Sequence, residues 1–219
     1  MSILICKNLI KSYAGLEKPV INDISLILDE GCFVSVTGRS GSGKSTLLKL
    51  MSGLLRPDAG EVTVAGYAVN NLTAKQRGFF RSRVIGFVFQ DSNLIPDFNI
   101  EDNIFSPLYI AGIKPDKDYY SRLLKMTGLE DLRGRLPDKL SGGQKQKAAV
   151  LRALIAKPKI IFADEPTGNL DSASEAEIME LFNTVNKELG ISIVQVTHSP
   201  FCAAAGRGII KINDGRTEP

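Results

Sequence analysis

Three groups of residues in this chain have the types and spacing to do chemistry. Gly38-Arg39-Ser40-Gly41-Ser42-Gly43-Lys44-Ser45 reads G-x-x-x-x-G-K-S, a loop whose backbone N–H groups can cradle a triphosphate. Such a ligand carries several negative charges that must be held without water and in fixed geometry. Gly38, Gly41 and Gly43 let the backbone curl and approach the phosphates, where a Cβ would obstruct both. Lys44 supplies a point charge for the β- and γ-phosphates, and the Ser45 hydroxyl suits a Mg²⁺ ligand. A helix opening near Gly43 would add its free N–H groups and dipole.

The second group is Asp164-Glu165, which ends the apolar run Ile160-Ile161-Phe162-Ala163. A strand end places a carboxylate at the sheet's carboxyl edge, beside the glycine loop. There Asp164 suits Mg²⁺, directly or through water, and Glu165 suits a general base that polarises an attacking water. By itself an adjacent acidic pair reads better as a helix N-terminal cap. The third group is Ser141-Gly142-Gly143-Gln144, opening an apolar helix that continues through Ala148, Leu151 and Leu154. A serine and unobstructed amides at a helix N-terminus make an anion site, or equally a plain N-cap.

Single residues say less. His198 is the one histidine; it follows a strand ending at Val196, with Ser199 as N-cap and Pro200 at a first helical position. A lone histidine is more often a packed polar residue than a catalytic one. Gln90, after Phe87-Val88-Phe89, is unremarkable alone, and Tyr13 reads as a core or surface tyrosine.

The elements that must position these groups alternate between short β-branched runs and helical patterns, the mark of an α/β layered domain. Residues 20–28 and 32–37 flank the turn-like Asp29-Glu30-Gly31 and are expected to be neighbouring strands. Val34-Ser35-Val36-Thr37 runs into the glycine loop, and Lys44 to Gly53 reads as the following helix. Residues 61–65 and 84–89 read as strands. Ile160–Ala163 and Ile191–Val196 are near-continuous apolar runs, as buried parallel strands are. Ile209–Ile212 before Asp214-Gly215 is expected to be the last strand. The stretch 91–157 is helical in pattern, with breaks expected at Pro96, Pro107, Gly112-Ile113-Lys114-Pro115 and Pro137. It reads as a helical insertion in a sheet-containing core. No repeat or second glycine loop is visible.

Composition excludes several classes. At 219 residues, 43% apolar and 23% charged, the chain can bury a substantial core as one large domain. Its 27 basic and 24 acidic residues are interspersed, so a net charge of +3 gives no reason to expect nucleic acid as a partner. Cys6, Cys32 and Cys202 have no C-x-x-C spacing and an odd count, which reads as buried thiols in a reducing compartment. The N-terminal apolar stretch is short and broken by Lys7 and Lys11, unlike a secretory signal. The longest uncharged run, Leu189 to Gly206, holds Gln195, Thr197, His198, Ser199 and Pro200, and is not expected to span a membrane.

With Leu140-Ser141-Gly142-Gly143-Gln144 lying between the glycine loop and Asp-Glu-Pro-Thr-Gly-Asn-Leu-Asp (residues 164–171), the chain resembles the ATP-binding subunits of ABC transporters nearly end to end. That resemblance implies a P-loop NTPase core with a mixed, mostly parallel sheet, an N-terminal antiparallel β-subdomain and a helical insertion. Residues 1–219 would form a single cassette, with about 1–90 and 158–219 as nucleotide-binding core and about 91–157 as helical subdomain. It implies a Mg²⁺-dependent ATPase in which two ATP molecules are sandwiched between two cassettes, most simply a homodimer. Nucleotide contacts would come from Tyr13, stacking on adenine ahead of the first hairpin, and from Gly38, Arg39, Ser40, Gly41, Ser42, Gly43, Lys44, Ser45 and Thr46. Across the dimer, Ser141, Gly142, Gly143 and Gln144 would reach the γ-phosphate, with Asp171 at the interface. Catalysis would fall to Glu165, the switch histidine His198, Lys44 and Gln90; Ser45, Gln90 and Asp164 would serve the metal.

The family usually has arginine where this chain has Lys147, which exchanges a planar fork for a point charge. Ser199 stands where an acidic residue often follows the histidine. Residues 165–171 and Ile85-Gly86-Phe87-Val88-Phe89-Gln90 are similar to the group serving lipoprotein release, macrolide and peptide-antibiotic export, and cell division. Absence of a long C-terminal extension agrees with that group. The implied partner is an integral membrane permease subunit seated in a groove near residues 90–110, with Leu94, Ile95, Phe98 and Ile100 as exposed-looking or core apolar residues. The implied location is the cytoplasmic face of the inner or plasma membrane, peripheral through that partner. A soluble ABC ATPase in cofactor or complex assembly is the alternative.

Overall fold

The computed structural model describes residues 1–218. Two sheets carry the chain. The first is antiparallel, with strand order β2 (Ile21–Asp29), β1 (Ser2–Lys11), β4 (Ala59–Val64), β5 (Tyr67–Ala68). The second has the order β10 (Arg216–Thr217), β9 (Gly208–Asn213), β3 (Phe33–Thr37), β8 (Ser192–Val196), β7 (Ile160–Asp164), β6 (Ile85–Val88). Its strands run parallel except β10, which turns back on β9 at Asp214-Gly215. Thus β9 is not the last strand; two residues of hairpin follow it.

Period-2 alternation explains the layering. In β7, Ile160 and Phe162 face one apolar cluster, while Ile161 and Ala163 face another. In β8 and β3 the same split puts Val194, Val196 and Val36 on the first face and Ile193 and Phe33 on the second. All of these residues are buried, because helices or the antiparallel sheet cover both sides. Fully burying a side chain such as Phe162 contributes about 1.5–3 kcal/mol relative to exposure. Helix α1 (Lys44–Met51) and the antiparallel sheet fill the first face, and Leu47, Leu48, Leu50 and Met51 are its contribution.

The helices that follow are α2 (Ala74–Phe79), which runs into a π-helical turn at Phe80–Val84, then α3 (Ile100–Ile110), α4 (Lys117–Thr127) and α5 (Gly142–Leu154). Last come α6 (Ser172–Leu189) and α7 (Pro200–Ala205). Helices α3 to α6 cover the second face; Phe182 of α6 meets Phe33 edge-on at 6.3 Å.

Two local expectations fail for physical reasons. Strands β2 and β3 are consecutive yet lie in different sheets, β2 pairing with β1 and β3 with β8 and β9. The turn at Glu30-Gly31 changes layer, which alternation within either strand does not report. Pro107 does not break the chain but lies inside α3. The carbonyl that its missing N–H would have reached, Asn103 O, accepts the Ser106 hydroxyl at 2.8 Å instead.

Candidate active site

Four adjacent parallel strands deliver the chemistry to one edge. At their carboxyl ends, β3 leads into the 38–43 loop, β8 into His198, β7 into Asp164-Glu165, and β6 into Gln90. Because β8 lies between β3 and β7, the histidine arrives between the glycine loop and the acidic pair. Ligands of open α/β sheets sit at this edge.

The glycine loop is shaped by backbone that other residues resist. Gly38, Gly41 and Gly43 have φ of 150°, 77° and 101°. A Cβ on Gly38 would lie 2.2 Å from Ile212 O, and one on Gly43 2.6 Å from Val20 O. The first intrahelical bond of α1 is Leu47 N to Gly43 O, 2.8 Å. The amides of Lys44, Ser45 and Thr46 precede it, and are therefore available to an anion.

Lys44 is buried, and its Nζ donates to Arg39 O at 2.8 Å, folding over the loop it follows. Burial pushes its ammonium pKa down, while Glu165 and then Asp164 pull it up. Its counter-charges are thus the two carboxylates expected of the acidic pair. Ser45 Oγ donates to Asp164 Oδ1 at 2.8 Å. Glu165 holds a left-handed backbone, φ 48°, with its N–H on Val196 O at 3.0 Å, and its Oε1 lies 3.0 Å from His198 Nε2. A non-glycine residue there is strained by about 1–3 kcal/mol, a state usually maintained at functional sites.

Tyr13, Val20, Ser40, Gly41, Gly43, Lys44, Ser45, Thr46, Glu165 and His198 line one cleft of 360 Å³. Tyr13 is 42% exposed, with the Lys11 ammonium 5.9 Å from its ring centroid. It lies in the connection between β1 and β2, within the first hairpin and not ahead of it. Arg39 meets Lys44 through its carbonyl, and the Ser42 hydroxyl is buried without a partner.

The remaining expected residues gather elsewhere. Ser141 caps α5: its Oγ accepts from Gln144 N, and Gln144 Oε1 accepts from Ser141 N, a reciprocal capping box. Asp171 caps α6 by accepting from Ser174 N at 2.8 Å, and that bond holds its carboxyl below the ordinary range. The two helix starts touch, for a Cβ on Gly143 would stand 2.7 Å from Ser174 Oγ. This pair does not line the cleft within the chain. Gln90 Nε2 donates to Asn169 Oδ1 at 3.1 Å, and Asn169 Nδ2 to Asp91 Oδ1 at 2.8 Å.

The chain as a whole is matched by known proteins. Residues 21–168 match the family described as ABC transporter. The macrolide export ATP-binding/permease protein MacB of Syntrophobacter fumaroxidans is 42% identical over all of this chain, which spans only 32% of that protein. The lipoprotein-releasing system ATP-binding protein LolD of Wigglesworthia glossinidia brevipalpis is 38% identical over 99% of this chain and 96% of its own. Among solved structures, the ATP-binding cassette MJ0796, a dimer in a post-hydrolysis state bound to ADP and Pi, superposes with a TM-score of 0.88 at 38% identity, over 99% of this chain and 97% of that one. The chain belongs to the ABC transporter family.

Within this cassette, several contacts had no sequence signal. Gln146 Nε2 donates to Phe89 O at 2.8 Å, and Arg152 donates to Ser92 O and Asn93 O at 2.7 and 2.6 Å, so α5 grips the chain on both sides of Gln90. Lys147 pairs with Glu177 of α6 at 2.8 Å, a partly exposed contact that a point charge suffices to make. Of the apolar residues near the segment, Ile100 is core and Leu94 packs against it, whereas Ile95 and Phe98 are about 40% exposed. Among the described residues no helix is long and apolar enough to cross a membrane.

Proposed function

We propose that this cassette is the Mg²⁺-dependent ATPase subunit of a membrane complex, in which ATP draws two cassettes together and hydrolysis releases them. The observation that carries it is the Glu165–His198 contact at 3.0 Å on the cleft that also holds Lys44 and Ser45.

In this reading adenine stacks on Tyr13, and the phosphates lie on the amides of the loop from Gly38 to Thr46. Lys44 leaves its Arg39 carbonyl for the β- and γ-oxygens. Ser45 and Asp164, a hydroxyl and a carboxylate already in contact, offer the hard oxygens Mg²⁺ prefers. The metal would neutralise charge developing on the phosphates. Glu165 accepts the proton of the attacking water, His198 holds Glu165 and meets the γ-phosphate, and Gln90 reports metal and water to the helical subdomain, about residues 91–157. The capped helix starts at Ser141–Gln144 and Asp171 do not line their own chain's cleft, which supports their use on a second cassette's nucleotide. Exposed Ile95 and Phe98 support a permease contact near residues 90–110, and with it a peripheral position on the cytoplasmic face of the membrane. Likeness to MacB and LolD favours export, lipoprotein release or force transmission as the work done.

The test is purification of Glu165→Gln from native membranes with ATP present. Stoichiometric recovery of an integral membrane protein is expected. Recovery of soluble partners alone would replace the membrane reading with that of a soluble assembly ATPase.

A further inference from the structure

Behind the proposed reacting pair lies a second cluster, none of whose residues lines the cleft. Glu175 projects from the first turn of α6, half-buried. Its Oε1 accepts from Thr167 Oγ1 at 3.3 Å and from Cys202 Sγ at 3.0 Å, and those two atoms are 3.3 Å apart. Thr167 and Cys202 are both buried. Thr167 sits in the turn that begins at Glu165, closed by Gly168 N on Glu165 O at 3.1 Å. Cys202 belongs to α7, which starts just after His198 and is fixed to β8 by Gln195 Nε2 on the Cys202 carbonyl at 2.7 Å.

We propose that Glu175 is a positioning residue for hydrolysis: its carboxylate ties the turn behind Glu165 to the helix behind His198, and so keeps those two side chains in register. The proposal rests on the reading of Glu165 and His198 as the hydrolytic pair. Two properties set Glu175 apart from an ordinary surface glutamate. Among the described residues no lysine or arginine pairs with it, so its charge is satisfied by neutral donors brought from two other segments. Those donors, Cys202 first and then Ser199 and Thr167, hold its carboxyl below the ordinary glutamate range against the effect of burial. The Cys202 thiol is pushed up, mainly by burial, and remains the protonated donor that the bond requires. A strained Glu165 backbone makes such a tie necessary, since φ 48° persists only where surrounding contacts over-determine it.

The test is steady-state ATP hydrolysis by the intact chain, with Glu175→Ala, Glu175→Gln and Glu175→Ala combined with Ser199→Asp. Glu175→Ala is expected to lower kcat about tenfold while KM for ATP stays within about twofold, as for a small displacement of reacting groups. Glu175→Gln, which keeps an acceptor of the same shape, should lose less. Ser199 already caps α7, its Oγ accepting from Cys202 N at 3.3 Å. Aspartate there would keep the cap and return a carboxylate to the cluster, so the double variant should recover most of the lost kcat. An unchanged kcat in Glu175→Ala, or a double variant as slow as the single one, overturns the proposal. If Glu175→Ala fails to fold, Glu175→Gln decides: a folded variant with reduced kcat and unchanged KM supports the proposal, and full activity overturns it. Absence of hydrolysis by the unaltered chain overturns the functional reading instead.

Discussion

Ser45 and Asp164 are 119 residues apart and meet at 2.8 Å, hydroxyl to carboxylate. One lies in the first turn of the helix after β3 and the other ends β7, with β8 between these strands. The contact joins the glycine loop to an acidic strand end, and no group of three His, Cys, Asp or Glu is disposed to hold a metal among the described residues. A divalent ion here would share its shell with phosphate and water, the usual arrangement for Mg²⁺. Asp164→Asn should therefore leave folding intact but shift the Mg²⁺ dependence of ATP hydrolysis upward by about tenfold or more. Titrating Mg²⁺ at fixed ATP checks this, and an unshifted curve would remove the carboxylate from the metal's shell.

Lys44 is a buried cation whose pKa burial lowers. Replacing it with a neutral chain of similar length removes a desolvation cost together with two attractive carboxylates. Lys44→Met should keep its thermal midpoint within a few degrees while losing most ATP affinity in calorimetry. Near-normal binding would rule out the phosphate role.

Glu165, the proposed base, holds a strained backbone. Glu165→Gly removes a left-handed residue's penalty and should gain about 1 kcal/mol of stability, raising the melting temperature by roughly 2–4 °C. It should also abolish turnover. Glu165→Gln should show no such gain, bind ATP, hydrolyse it very slowly and accumulate as a dimer. Rapid turnover in either variant would remove Glu165 as base.

The loop glycines differ in why they are needed. A Cβ on Gly41 meets nothing within 4 Å, so Gly41→Ala should cost only the left-handed backbone penalty, about 1 kcal/mol. Gly43→Ala adds a methyl 2.6 Å from Val20 O and should cost about 3 kcal/mol or more. Denaturant unfolding of both variants measures the difference, and equal losses would contradict the packing argument.

Burial pushes the Cys6 thiol up to about 12. Its folded pKa exceeds the unfolded one, so this contribution is complete below the ordinary thiol range and is lost as pH rises toward 12. Between those limits each pH unit should cost about 1.4 kcal/mol. Comparing unfolding of the unaltered chain and Cys6→Ala at pH 8 and pH 10 isolates this slope. A pH slope identical in the two proteins would contradict it.

Much of the site was legible because its signals are local. The G-x-x-x-x-G-K-S loop, the apolar runs of β7 and β8, and Ser141 before a helix each lie within a few consecutive residues, where backbone conformation and burial on both faces dictate residue type. The capping partner Gln144 was within reach too, three residues after Ser141. Pro107 misled because the Ser106 hydroxyl supplied what proline lacks, a detail of one side chain and one carbonyl.

By itself, the sequence picked out the residues proposed to touch phosphate and metal, since that chemistry needs particular atoms at short spacing along one loop or strand end. Tertiary structure alone decided which strands are neighbours, why β2 and β3 part into different sheets, and that Glu165 meets His198. It alone brought Glu175, Thr167 and Cys202 together. Those relations depend on contacts between distant segments, whose energies are set by packing in three dimensions and leave no periodicity in the chain.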